Sequence, residues 1–284
     1  MRICIFGAGS IGGFMAAYLC AAKNEVSLIA RGANLEAYKK KGITLQHGSN
    51  SIHASPQATN DSREIGPVDL VFVTVKAPAL IDVGSSIGPL LGDGTQVVFA
   101  MNGIPWWYEL GGYKETNMAQ DILDPTGILR REISSARIVG CVVDCPAIVD
   151  APGIILSKRG SKGVFTLGSP KSSKNPNLER ISKCLVNAGM QAPIVENFEH
   201  AVWNKLIVNL SRSPLAVLTG VDEMKLAYDE EITAITKEMI IEATQVADSH
   251  GIKLDLDWDR LLKPEYRSEH RSSMLQDWDS RRPM

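Results

Sequence analysis

Cysteine is scarce in this 284-residue chain, and Cys4, Cys20, Cys141, Cys145 and Cys184 make an odd, scattered set. Such a set in a chain of this length is no disulfide framework, and the Cys141–Cys145 spacing lacks the second ligand pair of a zinc site. Burial as small apolar side chains accounts for all five. The five histidines form no His-Glu-x-x-His cluster, so no metal is expected. An excess of one charge sign is missing too: 30 Lys+Arg stand against 32 Asp+Glu, a net −2 without a long block. That balance gives no footprint for nucleic acid or an anionic membrane and favours a small-molecule partner. No apolar run reaches ~18 uninterrupted residues, so no membrane span is expected. Glycines between Gly7 and Gly13 break the one N-terminal run that could pass for a secretion signal, and a cytoplasmic location is the expectation.

What is present is 44% apolar and 22% charged residues, enough for two globular domains. Residues 2–6 read as a short buried strand, 11–22 as a helix and 25–30 as a second strand. Strand, glycine turn, helix and strand within about 30 residues make a βαβ unit, which requires a parallel sheet. The runs at 68–75 and 96–100 are near-continuous and β-branched, as strands buried on both faces are. Three shorter runs, at 138–143, 153–156 and 163–168, read as antiparallel strands added to the sheet edge. A polar stretch at 169–177 precedes a helix over 178–188 and a last strand near 193–195. From Phe198 onward helical periodicity takes over, at 201–218, 230–249 and from 258 to the end. The expected fold is therefore α/β: a Rossmann-type doubly wound parallel sheet with antiparallel edge strands over 1–197, and an all-helical domain over 198–284.

The first turn reads Gly7-Ala8-Gly9-Ser10-Ile11-Gly12. The three glycines allow a tight turn, close approach of backbone to a pyrophosphate, and close packing of helix on strand. The helix start offers free N–H groups to the phosphates. NAD-binding sheets usually carry Asp or Glu at the end of the second strand to bond the ribose 2′-hydroxyl. Here the chain has Ala30-Arg31-Gly32: the acid is missing and a guanidinium able to clamp a 2′-phosphate is present. NADP is the expected cofactor.

A second segment runs Trp203-Asn204-Lys205-Leu206-Ile207-Val208-Asn209-Leu210 and on to Ser213-Pro214-Leu215. On one continuous helix, residues 205, 209 and 213 share a face. A Lys–Asn–Ser stripe among apolar neighbours calls for a polar partner, which a cleft facing the cofactor supplies. An ammonium there can stabilise the charge that builds on a ketone oxygen during reduction and donate a proton to it. A lysine stretched along an amphipathic helix with an asparagine facing water remains the alternative.

Together these pieces, with Thr74-Val75-Lys76-Ala77, Asn102-Gly103 and Ser272-Ser273-Met274-Leu275-Gln276-Asp277, span the chain in order and resemble the ketopantoate reductase family. The resemblance implies NADPH-dependent reduction of a 2-oxo acid to a 2-hydroxy acid, with Lys205 as proton donor. It implies substrate contacts from Asn102, Asn209 and, toward the carboxylate, Ser273. Cofactor contacts are implied from residues 7–12, Arg31, Lys76 and Asn102. Ser213 stands where the family often has a second substrate-contacting Asn, and His270 replaces another polar amide. The run Ile104-Pro105-Trp106-Trp107-Tyr108 is expected near the pocket mouth, which favours a larger or more apolar 2-oxo acid. The family continues past Ser-Met-Leu-Gln-Asp with a Glu and a final helical stretch, so the second domain is expected to be incomplete. A homodimer is left open. Two other readings remain: a β-hydroxyacid dehydrogenase, and a non-catalytic NADPH-binding sensor.

Overall fold

The computed structural model describes residues 1–108, 122–157, 162–170, 175–267, 269 and 271–282. The chain divides into two compact units, Met1–Phe198 and Glu199–Met284.

The first unit is built on a seven-stranded sheet in the order β11-β8-β7-β6-β1-β2-β5. Its parallel strands are β1 (Arg2–Phe6), β2 (Glu25–Ile29), β5 (Gln57–Thr59), β6 (Val68–Val73), β7 (Leu91–Ala100) and β8 (Ile138–Asp144). β11 (Val164–Gly168) closes one edge and runs antiparallel to β8. The central strands are apolar on both faces because helices cover both faces. Ile3, Ile5, Leu70, Phe72, Val98 and Val139 are buried in one core with the helix α1 (Ser10–Ala21). From β1 the chain winds outward to β2 and β5, then returns to lay β6, β7 and β8 on the other side. The order therefore reverses between β1 and β6, the point at which open α/β sheets bind ligands.

Three expectations are corrected in this unit. The run at 138–143, expected to be antiparallel, is β8 and runs parallel to β7; only β11 is antiparallel at that edge. The run near 153–156 does not join the main sheet. As β10 (Ile154–Ser157) it pairs antiparallel with β9 (Ala147–Ala151) and parallel with β3 (Ile43–His47), which in turn pairs with β4 (Asn50–Ala54). This second, four-stranded sheet packs its buried residues Ile43, Leu45 and Ile155 into the same core as Phe14 and Met15 of α1. Residues 193–195 do not form a strand. The segment makes only isolated bridges along β11, with Leu167 N–H donating to the Pro193 carbonyl at 2.8 Å. In the polar stretch 169–177, residues 171–174 lie outside the described residues. Among the described residues, the other α-helices of this unit are α2 (Gly32–Lys41), α3 (Leu80–Ser86), α4 (Ile128–Glu132) and α5 (Leu178–Asn187).

The helix α6 (Phe198–Leu210) begins on the last residue of the first unit. The second unit continues with α7 (Ser213–Thr219), α8 (Glu223–Tyr228), the long α9 (Glu230–Ser249), α10 (Trp258–Leu262) and α11 (Ser273–Asp279). The expected helix over 201–218 is thus two helices. Pro214 explains the break: proline disfavours helical geometry in the residue before it but is at home in a first turn, and it occupies that place in α7. The C-terminal segment is likewise not one helix, because Pro264 opens a separate 3₁₀ turn after α10. Leu215, Ala216, Leu226 and Leu275 form one small core, and Ile207, Ile240 and Leu261 another.

Candidate active site

The turn between β1 and α1 is assembled from both sides. Gly7 adopts φ +105°, and a Cβ there would sit 2.5 Å from Val75 Cγ1, so only glycine fits. Gly7 N–H and Ala8 N–H both donate to the Ile29 carbonyl at the end of β2, at 3.0 and 3.3 Å. The Thr74 hydroxyl donates to the Gly7 carbonyl at 2.7 Å, and the Tyr38 hydroxyl donates to the Ala8 carbonyl at 2.7 Å. Burial pushes the Tyr38 phenol up to about 12, so it stays a donor. The turn's carbonyl oxygens are thus tied down. No side chain caps α1, so the N–H groups at Ser10, Ile11 and Gly12 face outward at the positive end of the helix. A Cβ on Gly9 would meet nothing within 4 Å, whereas one on Gly12 would lie 2.5 Å from the Gly7 carbonyl oxygen and 2.6 Å from Thr74 Oγ1. Gly9 leaves open space for a ligand, and Gly12 packs helix on strand. This arrangement fits a dinucleotide pyrophosphate.

The other first-unit candidates line the same carboxyl edge of the sheet. Arg31 follows β2 and starts α2, and its Nη1 donates to Asp82 Oδ2 on α3 at 2.8 Å, with both side chains largely exposed. Lys76 is exposed after β6, where it begins the 3₁₀ turn Ala77–Ala79. Asn102 follows β7. Its Nδ2 donates to the Val143 carbonyl at 3.0 Å, and its Oδ1 accepts from Val143 N–H at 2.9 Å. β7 ends at Ala100, opposite Cys141, so the Asn102 amide takes over as the peptide group that Val143 would otherwise lack. Asn102 is nevertheless exposed, and one N–H and lone-pair capacity remain on the amide. Residues 7–12, Arg31, Lys76 and Asn102 thus stand at the ends of four adjacent strands, β2, β1, β6 and β7.

The aromatic run after Asn102 does not face an opening. Trp106, Trp107 and Tyr108 are 1%, 2% and 5% exposed, with Trp106 edge-on to Phe99 and Trp107 stacked on Phe198. They are core, so they give no reason to enlarge the substrate.

In the second unit, Lys205 and Asn209 sit one turn apart on α6 and are half-buried. Ser213 is not the next residue of that stripe, because it opens α7 beyond the break and is buried. Ser272 caps α11 by accepting from Leu275 N–H at 3.3 Å, which leaves Ser273 as the exposed first residue of that helix. α7 and α11 pack on each other through Leu215, Ala216 and Leu275, so Ser213 and Ser273 each head one of two packed helices. His270 lies outside the described residues. Tyr38 and Asp82 were not legible as site residues. Thr74 stood in the Thr74-Val75-Lys76-Ala77 piece, but its bond to the Gly7 carbonyl was not legible.

A doubly wound sheet with an open glycine turn at its switch point, followed by a helical unit carrying Lys205 and Asn209, defines the class of dinucleotide-dependent oxidoreductases. Comparisons narrow it. The family Ketopantoate reductase PanE/ApbA matches residues 3–172, and its C-terminal counterpart matches residues 197–284. The chain is 37% identical to the 2-dehydropantoate 2-reductase of Mesorhizobium japonicum over 100% of its own length and 87% of that protein. It superposes with TM-score 0.90 and 32% identity on a structure assigned as a ketopantoate reductase from Ralstonia solanacearum MolK2, covering 98% of this chain and 85% of that one. A ternary structure of D-mandelate dehydrogenase with NADH and anilino(oxo)acetate shares the fold, at TM-score 0.83 and 22% identity over 99% of this chain and 86% of that one. The chain belongs to the ketopantoate reductase family. It is a reductase acting on a 2-oxo acid with a nicotinamide dinucleotide.

Proposed function

We propose that the protein reduces ketopantoate, or a 2-oxo acid of similar size, to the 2-hydroxy acid with NADPH, and that Lys205 donates the proton. The observation that carries the cofactor half is Arg31 standing at the end of β2, where an NAD-binding sheet would place an acid. When bound, the reduced nicotinamide supplies the hydride that adds to the substrate's carbonyl carbon. The backbone N–H groups at residues 10–12 hold the pyrophosphate, with Gly7, Ala8 and Gly9 shaping its seat. The Arg31 guanidinium offers the edge not used by Asp82 to the 2′-phosphate. Lys76 adds positive charge on the phosphate side. Asn102, its amide fixed by Val143, turns its remaining N–H toward nicotinamide and substrate.

Lys205 then balances the reaction. As negative charge grows on the carbonyl oxygen, the ammonium stabilises it and transfers one proton, giving the hydroxyl and a neutral amine that solvent reprotonates. Asn209, one turn away, orients Lys205 and bonds the substrate, while Ser273 and Ser213 bind its polar ends. The sensor reading gives no reason for Lys205 and Asn209 to share one helical face, and the family match over both units disfavours the β-hydroxyacid dehydrogenase. Following NADPH oxidation across a panel of 2-oxo acids tests the proposal: ketopantoate or a near neighbour should be consumed with a stoichiometric yield of the hydroxy acid. Turnover only of 3-hydroxy acids with NAD(P)⁺ would refute it.

A further inference from the structure

The glycine turn can offer N–H groups to a pyrophosphate only while its carbonyl oxygens face away from the ligand. The peptide between Ala8 and Gly9 is the one its own sequence restrains least. Ala8 is flanked by Gly7, at φ +105°, and by Gly9, at φ −85° and ψ −149°. A Cβ on Gly9 would meet nothing within 4 Å, so turning this peptide over costs glycine little. The neighbouring carbonyls have their own donors. Gly7 O accepts from the Thr74 hydroxyl and from Gly9 N–H, both at 2.7 Å, and Gly9 O accepts from Gly13 N–H at 2.8 Å.

Ala8 O is held from another element. The Tyr38 hydroxyl donates to it at 2.7 Å, and the Tyr38 residue is 2% exposed. The Ala8 carbonyl therefore points into the core, and turning the peptide over would point it outward, toward the space left for phosphate. A carbonyl dipole repels an anion where an N–H attracts it. The turned form would also leave a buried phenol without its acceptor. The seat of the hydroxyl is close-packed: a Cβ on Gly13 would press on Ile155 Cγ1 of β10 at 2.8 Å and touch Tyr38 Oη at 3.6 Å. Tyr38 stands two turns along α2 from Arg31, the residue at that helix's N-terminal cap.

We infer that Tyr38 is a positioning residue for the cofactor: its buried hydroxyl locks the Ala8–Gly9 peptide with the carbonyl inward and keeps the turn in the form that accepts a pyrophosphate. This rests on the reading that the turn holds a nicotinamide dinucleotide, and adds to it a residue that touches no ligand.

Binding to the full chain, in wild type and Tyr38→Phe, tests it with NADPH, NADH and adenosine 2′-phosphate as probes. Both dinucleotides carry the pyrophosphate, whereas adenosine 2′-phosphate lacks it and engages Arg31, on the same helix as Tyr38. Loss of the hydroxyl should weaken NADPH and NADH by the same factor, about fivefold, the usual worth of one hydrogen bond. The affinity for adenosine 2′-phosphate, read by displacement of NADPH fluorescence, should stay unchanged. Unchanged dinucleotide affinity overturns the inference. Parallel loss of all three probes also overturns it, because it means that α2 as a whole has shifted. A wild-type protein that binds neither dinucleotide removes the underlying reading, and the inference falls with it. Crystals of the unliganded wild type give a second reading that needs no variant: an Ala8 carbonyl bonded to Tyr38 supports the lock, and one turned outward overturns it.

Discussion

The side-chain amide of Asn102 pairs with both backbone groups of Val143, donating to its carbonyl at 3.0 Å and accepting from its N–H at 2.9 Å. A side chain thereby continues the β7–β8 ladder past the end of β7, and the same contact fixes which way the exposed amide faces. Asn102→Ala should cost about 1 kcal/mol in urea unfolding, the usual worth of such a bond. Asn102→Asp should cost more, because a carboxylate cannot donate to the Val143 carbonyl and sets negative charge against it. Equal stability of all three proteins would show that the pairing is unimportant in solution.

Two glycines of the same turn should behave oppositely. A Cβ at Gly9 meets nothing, whereas one at Gly12 meets the Gly7 carbonyl, Thr74 and Ile5. Gly9→Ala should melt like wild type and lose dinucleotide affinity by tenfold or more, because the methyl occupies the space left for phosphate. Gly12→Ala should lower the melting temperature itself. Calorimetry and cofactor-fluorescence titration on both variants separate the effects.

This contrast also shows how far the sequence could be read. The glycine turn, α1 and the central strands were legible because their signals are local: glycine spacing, and apolar runs in strands covered on both faces. The second sheet was not, because β10 pairs with β3 across more than 100 residues, and the alternation of a short strand does not say which sheet takes it. The stripe at 205, 209 and 213 was read as continuous because spacing was weighed and Pro214 was not. Asp82 and Val143 became visible as partners of Arg31 and Asn102 only once the fold brought them together.

Arg31 should govern cofactor choice. Arg31→Ala should weaken NADPH binding by about tenfold, the loss of a charge-assisted contact of roughly 1.4 kcal/mol, and leave NADH nearly unchanged. The Asp82 pair is exposed and contributes little to stability, so melting should hardly move. Parallel loss of both cofactors would place the 2′-phosphate elsewhere.

The cysteines should be inert. Burial pushes the Cys4 thiol up to about 12 and Cys20 to about 11; burial and then Asp144 push Cys145 up to about 12. In the unfolded chain these thiols titrate near 9. Between about pH 9 and 12 the unfolded state therefore releases protons the native state keeps, and stability falls as pH rises. The slope is at most about 1.4 kcal/mol per pH unit for each thiol. Alkylation at pH 8 should be slow until denaturant is added, and Cys4→Ala should lose stability less steeply than wild type above pH 9.

The central claim is that Lys205 protonates the carbonyl oxygen of a 2-oxo acid reduced by NADPH. Steady-state NADPH oxidation with ketopantoate, run beside NADPH binding in wild type and Lys205→Ala, tests it most directly. The account predicts turnover in wild type, a loss of about 10²–10⁴-fold in kcat in the variant, and unchanged NADPH affinity. A variant that keeps its kcat, or a wild-type protein that binds NADPH and reduces no 2-oxo acid, would contradict it.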